Sequence, residues 1–309
     1  MSWISSPALD APARWAALVD PVARPLGLLA LPPVAHLALA SCIASFALQR
    51  LSQALSPRVF RKYYPTSRTK QDDWDLHMVG WAYAFVAAPI ALHLLRNPSP
   101  QVVADPLFGA ALPEQRLSAI AVGYFIWDAL VTARHISTQG FGFFLHGAVC
   151  LCAFLFTLRP FVLWCGPCFL IWEVSTIFLN AHWLFDKLKM TGSVAQMVNG
   201  LFLVISYIVV RLVFGTYNSY TLWRLLVPSS SDPSFQALAV RKVGAVRWMY
   251  LVLNVAANGL NFFWFRLMVL ALKKRFVPSP NASSAHKAQK KPVPVDGRLA
   301  DQERRVKGE

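Results

Sequence analysis

The chain reads as an all-α integral membrane protein of about seven spans, and three features of the sequence predict it. Only 15% of its 309 residues are charged while 56% are hydrophobic, against about 25% charged in an ordinary soluble domain. The charges collect in a few short stretches, and the apolar residues run between them in blocks of about twenty. At about 1.5 Å rise per helical residue, such a block crosses a hydrocarbon core about 30 Å thick. Several blocks of this length recur in the chain, and a globular core has no need of them.

The predicted spans run in order as Pro33–Leu51, Leu76–Leu95, Leu117–Ala133, Phe141–Leu158, Phe161–Ala181, Met197–Phe214 and Trp248–Leu272. Pro32-Pro33 and Arg58 bracket the first. Asn97-Pro98 and Pro100 stop the second, because proline cannot continue a helix. Little more than Arg159-Pro160 separates the fourth from the fifth, which makes them a tight antiparallel pair. The last is the longest, and tilt accommodates it.

Orientation comes from the basic residues. Arg58, Arg61, Lys62, Arg68 and Lys70 crowd the first loop, and Lys273-Lys274-Arg275 opens the tail. The positive-inside rule puts both in the cytosol, and seven spans place them on the same side, with the N-terminus lumenal. The sixth loop, Gly215–Arg247, is then lumenal although it holds Arg224, Arg241, Lys242 and Arg247, and long loops weigh less in that rule. Three regions result. Residues 1–69 hold the first span and the basic loop, 70–275 the remaining spans, and 276–309 a basic cytosolic tail. That tail is rich in Pro, Ser and Lys and is expected to be disordered. Asn281-Ala282-Ser283 matches a glycosylation triplet, but a cytosolic tail never meets that machinery.

Several function classes drop out. A formal net charge of +15 would suit a nucleic-acid partner, yet the basic residues flank spans or lie in the tail, and no nucleic-acid motif accompanies them. Five cysteines, Cys42, Cys150, Cys152, Cys165 and Cys168, form no disulfide framework. Trp164-Cys165-Gly166-Pro167-Cys168 spells a thioredoxin-like redox motif, but that motif works at a strand-to-helix junction of a soluble βαβ unit, and here it opens an apolar span. No cluster suits a metal. The N-terminus lacks a basic start and apolar core, so no cleavable signal is expected and the first apolar block serves as an anchor.

Inside spans, the informative residues are polar. Asp128 stands in the third span, His146 in the fourth, and Glu173, Thr176 and Asn180 in the fifth. Glu173 and Asn180, seven positions apart, share a helix face, as do Asn254, Asn258 and Asn261 of the seventh. With the topology above, Asp128 and His146 lie roughly 8–9 Å from the cytosolic ends of their helices and Glu173 roughly 12 Å deep. Each costs a few kcal/mol facing lipid, so an inward-facing pocket reached from the cytosol is expected. Plainer roles compete. The asparagines serve equally as hydrogen-bonding glue between helices, and His146 as a satisfied bundle residue. His93 and His182 sit near span ends, where an interfacial position suffices.

From about Lys70 to Lys274 the chain resembles the TLC domain, named for TRAM, Lag1 and CLN8 proteins. The resemblance rests on Asp105-Pro106-Leu107-Phe108-Gly109, Tyr124-Phe125-Ile126-Trp127-Asp128, Phe144-Leu145-His146, Glu173-Val174-Ser175-Thr176 and Phe178-Leu179-Asn180-Ala181-His182-Trp183. It is nearest the fungal and TLCD-type branch. It implies a six-helix TLC bundle preceded by one extra transmembrane helix, in the endoplasmic reticulum membrane, with membrane lipids as partners and no bound cofactor. The function it implies is lipid handling. Trp127, Thr176, Asn180, Asn258 and Asn261 would give a lipid pocket its polar lining. Ceramide synthases resemble the chain too, but carry two adjacent histidines where this sequence has Leu145-His146, and a pair of aspartates where Glu173 stands alone. A non-catalytic lipid binder is therefore the leading expectation. The alternative is an acyl-CoA-dependent acyltransferase with His146 as base and Glu173 or Asp128 orienting it.

Overall fold

In a computed structural model of the chain, residues 2–228 and 243–276 are described. Every regular element among them is helical. Short 3₁₀ turns at Ser2–Ser5 and Pro7–Leu9 lead to α1 (Ala13–Ala23), α2 (Ala35–Val59), α3 (Arg68–Arg96), α4 (Pro100–Ala104) and α5 (Leu112–Arg134). Then come α6 (Ile136–Gln139), α7 (Phe141–Thr157), α8 (Cys165–Leu170) and α9 (Glu173–Lys187). The chain continues as α10 (Val194–Ser206), a π-helical turn at Tyr207–Val213, α11 (Phe214–Leu226) and α12 (Gly244–Phe276). Residues Met1–Phe262 form one compact unit; a second begins at Phe263, and its described part is the C-terminal portion of α12.

Five helices are long and apolar enough to cross a membrane: Arg68–Arg96, Leu112–Arg134, Cys165–Lys187, Val194–Leu226 and Gly244–Lys273. The expected seven therefore becomes five by this measure. The fourth expected span is α7, apolar but only 17 residues long. The first is α2, 25 residues long, with serines and glutamines along it. Those polar groups are turned inward. Ser41 Oγ donates to the Ile120 carbonyl at 2.8 Å, Ser52 Oγ to the Asp75 carboxylate at 2.6 Å, and Gln49 Oε1 accepts from the Trp127 indole at 3.0 Å. Internal partners of this kind let an amphipathic helix join a bundle with modest overall hydropathy.

Two boundaries move. The sequence predicts the fifth span from Phe161, but turns occupy residues 159–164, where Val162 N–H donates to the Leu107 carbonyl at 2.8 Å; the helix starts at Cys165 and breaks again at Ile171-Trp172. The sixth is predicted to end at Phe214. It runs on to Leu226, so the start of the expected loop Gly215–Arg247 is helix. The expected disordered tail, with Asn281, lies beyond the described residues.

Helix α5 is the centre of the compact unit, packed on α2 along one side and α7 along the other, while α3 packs on α9 and α8. Gly123 makes the first contact close: a Cβ there would collide with the Ala38 carbonyl of α2. The α3 and α5 faces meet through Tyr83 and Tyr124, stacked with ring centroids 3.6 Å apart. The N-terminal segment is pinned to the start of α5, where buried Arg116 donates to the Ile4 carbonyl at 2.6 Å and pairs with Asp10.

Candidate functional site

The break between α8 and α9 sets the position of the candidate site. Two turn residues, Ile171 and Trp172, restart the helix at Glu173 and bring Trp172 and Glu173 to the wall of a cavity of about 70 Å³. Its remaining wall comes from α5, α7, α8, the π-helical turn, α11 and α12, through Phe125, Phe154, Phe169, Leu222 and Tyr250 among others. His146, Cys150, Glu173 and Arg211 are set into this mostly apolar surface.

Arg211 is held by three side-chain hydrogen bonds. It lies within the π-helical turn, 6% exposed. Its Nε donates to Ser175 Oγ at 2.7 Å, Nη2 to Thr176 Oγ1 at 3.0 Å and Nη1 to Asn261 Oδ1 at 3.0 Å. The guanidinium carbon also lies 5.3 Å from the Tyr207 ring centroid and 5.8 Å from that of Trp172, within range of a cation–π attraction. All three acceptors are neutral. Among the described residues no carboxylate approaches Arg211 within 4.0 Å, Glu173 included. A π-helical turn widens the helix locally and often marks a functional site. Here it carries the one arginine or lysine on the cavity wall among the described residues.

The expected site residues divide between wall and packing. His146 and Glu173 both reach the wall, from α7 and α9. One turn along from His146, Cys150 Sγ lies 3.8 Å from Nδ1 and 3.9 Å from Nε2. Nearly equal distances to both nitrogens mean that the sulfur does not point along either lone pair. Asp128 is not on the wall; its carboxylate lies against Gly147 of α7.

Thr176 and Asn261 stand behind the wall as acceptors for Arg211. Asn258 donates to Ser219 Oγ at 2.9 Å and to the Asn254 carbonyl at 2.8 Å, tying α12 to α11. Asn254 itself reaches the wall and donates to the same Ser219 at 3.0 Å. Asn180 points elsewhere, to His77 of α3, with Nδ1 to Oδ1 at 2.7 Å. Trp127 is fully buried against Val79 and Val131. The asparagines of α12 thus act largely as glue between helices, and Asn180 and Trp127 join α9 to α3 and α5 to α2.

Arg211 is missing from the residues singled out in the sequence, although the rule that flags Asp128 applies to it equally: it is a charge in the apolar run from Ile205 to Val213. Cys150 and Trp172 carry no comparable signal, since either residue is ordinary in a span. Cys165 and Cys168 are free and buried in apolar surroundings, Cys165 packing with Phe161 and Leu222. Among the described residues no group of three His, Cys, Asp or Glu side chains could hold a metal.

Comparison with known proteins adds the wider frame. Residues 73–270 match the profile of the TLC domain. The chain is 31% identical over 258 residues to an uncharacterized TLC domain-containing protein of Schizosaccharomyces pombe, covering 83% of this chain and 85% of that protein. It is 31% identical over 237 residues to Topoisomerase I damage affected protein 4 of Saccharomyces cerevisiae, covering 74% and 80%. Human TLC domain-containing protein 4 is 28% identical over 179 residues, covering 56% and 68%.

Proposed function

The chain belongs to the TLC domain family, and from that membership and the cavity we propose that it binds a lipid or acyl chain inside the bundle and contributes to membrane lipid homeostasis without catalysing a reaction. The observation that carries this reading is the composition of the cavity wall. Apolar and aromatic side chains dominate it, and a few polar groups, His146, Glu173, Arg211 and Asn254, converge on it from four elements. Small-molecule sites have this character, an apolar lining that supplies affinity with a few placed polar groups that fix orientation. The wall carries a single histidine and a single carboxylate, His146 and Glu173, rather than the paired histidines and paired acids expected of a ceramide synthase, and this favours binding over catalysis. We place the protein in the endoplasmic reticulum membrane on its family membership, and, with α2 and α7 counted as spans beside the five longer helices, N-terminus lumenal and C-terminus cytosolic by the positive-inside rule.

Lipid profiles of cells lacking the protein, rescued by wild type or by His146→Ala, test the proposal. A binding role predicts that a defined lipid class shifts on deletion and that the variant, which keeps Arg211, Glu173 and the apolar wall, restores it at least in part, where a catalytic base predicts no rescue. No shift on deletion counts against the proposal.

The acyltransferase reading keeps one supporting observation, that His146 and Glu173 share the cavity wall. Purified protein given acyl-CoA and a long-chain base would then form an amide, breaking the thioester and releasing CoA. The binding reading predicts no product from folded protein.

A further inference from the structure

Arg211 makes three hydrogen bonds within the protein, while a guanidinium has five N–H donors. Two therefore have no protein partner among the described residues, on a side chain that is 6% exposed and lines the cavity. The same neighbourhood holds other idle donors. Two more buried donors lie close by without a partner: the Trp172 indole N–H, whose edge is against Gly215 of α11, and, behind the wall, the amide nitrogen of Asn261, whose oxygen accepts from Arg211. Buried donors left unpaired are costly, and native proteins rarely leave several together unless something is bound there. Against this surplus of donors the described wall offers one carboxylate, Glu173, held farther than 4.0 Å from the guanidinium.

We propose that this site takes the carboxyl head of a long-chain carboxylic acid, seated between Arg211 and Glu173 with its chain against the apolar wall. The inference rests on the lipid-binding reading above and names its ligand class. Charge decides the form in which the ligand binds. Arg211 and Glu173 together are neutral, so the acid enters protonated, as it leaves the bilayer most readily. One carboxyl oxygen accepts from Arg211. The ligand's proton is shared with the Glu173 carboxylate, so one cation faces two carboxyls holding one proton and the buried site stays neutral. A carboxylic acid, with one oxygen that accepts and one O–H that donates, matches a guanidinium on one side and a carboxylate on the other. Size agrees: about 70 Å³ holds roughly five water-sized positions at about 10–15 Å³ each, room for a carboxyl and the first carbons. A phosphodiester head stays ionised and has no proton to share with Glu173, so it would leave two anions facing the one arginine.

Equilibrium binding to the full-length protein in nanodiscs, with radiolabelled oleic acid, its methyl ester and oleyl alcohol, tests the proposal without any variant. The acid should bind at least about tenfold more tightly than the ester, which cannot supply the proton. Two substitutions should then move the affinity in opposite directions. Arg211→Gln should weaken acid binding at least about tenfold, since two carboxyls would face each other with no cation. Glu173→Gln should tighten it severalfold at pH 8, because the site then carries an unbalanced cation and the amide donates to an ionised head. A purely structural role for either residue gives no such opposition. Equal binding of acid, ester and alcohol, or equal affinity in wild type and Glu173→Gln, overturns the carboxyl assignment and leaves the lipid cavity standing. Saturable binding by none of the three overturns the lipid-binding reading, and this inference with it.

Discussion

His77 of α3 and Asn180 of α9 share a hydrogen bond of 2.7 Å, imidazole Nδ1–H to amide oxygen, with the Trp183 ring stacked on the imidazole at 4.2 Å. The bond joins two helices 103 positions apart in sequence and leaves Asn180 pointing away from the cavity. Asn180→Ala should therefore destabilise the folded protein by about 0.5–1.5 kcal/mol, the net worth of a hydrogen bond, since the His77 side chain is 26% exposed and water can reach its N–H. Lipid retained through purification should be unchanged. A thermal melt in detergent, followed by mass spectrometry of the retained lipid, checks both halves.

Gly123 permits the close contact of α5 with α2. A methyl group there would run into the Ala38 carbonyl and the Ser41 Cβ. Gly123→Ala should cost about 1–3 kcal/mol, because two packed backbones must separate. Gly142→Ala is the matched control, with nothing within 4 Å of the added carbon. It should be neutral or stabilising by up to about 1 kcal/mol, as for a helical glycine with open space around its added carbon. Melting the two variants side by side separates packing from helix propensity.

Arg116 is 2% exposed and holds the N-terminal segment through the Ile4 carbonyl and Asp10. Arg116→Met should release that segment at a cost of about 1–3 kcal/mol, mostly from the unpaired carbonyl and the lost packing of fully buried Ile4. Asp10→Asn should cost less than about 1 kcal/mol, since the Asp10 side chain is 57% exposed and water screens the pair. Cleavage of an N-terminal tag linker by protease should speed up in the first variant and hardly change in the second.

Cys165 and Cys168 are buried and unpaired, so the Cys-Gly-Pro-Cys run is a packing element. Maleimide should label them slowly in the folded protein and rapidly after denaturation. Melting temperature should be the same with and without reductant. A melt that depends on reductant would mean that the pair forms a disulfide.

Legibility in the sequence depends on the kind of signal each feature leaves. The apolar blocks of α3, α5 and α12 declare themselves by length and hydropathy, because a chain in hydrocarbon must satisfy every backbone group internally. Helix α2 reads less clearly, since Ser41, Gln49 and Ser52 look like water-facing residues until Ile120, Trp127 and Asp75 appear opposite them. His146 and Glu173 are visible as polar residues in apolar runs and do meet at one wall. Asp128 and Asn180 give the same kind of signal and face elsewhere, as does Trp127, which only the family resemblance singles out. Arg211 is equally visible, and its partners are not, for Ser175 and Thr176 lie 36 and 35 positions away and Asn261 lies 50 away.

The sequence by itself determined that this chain is a helical membrane protein of the TLC family, because long apolar blocks have few folding solutions in a bilayer and the family's motifs are local strings. Tertiary structure alone decided which polar residues share a cavity. That choice depends on the rotation of each helix about its axis, on the break at Ile171-Trp172 and on the π-helical turn at Tyr207–Val213. These are set by packing between segments far apart in the chain, and hydropathy read along a single helix carries no record of them.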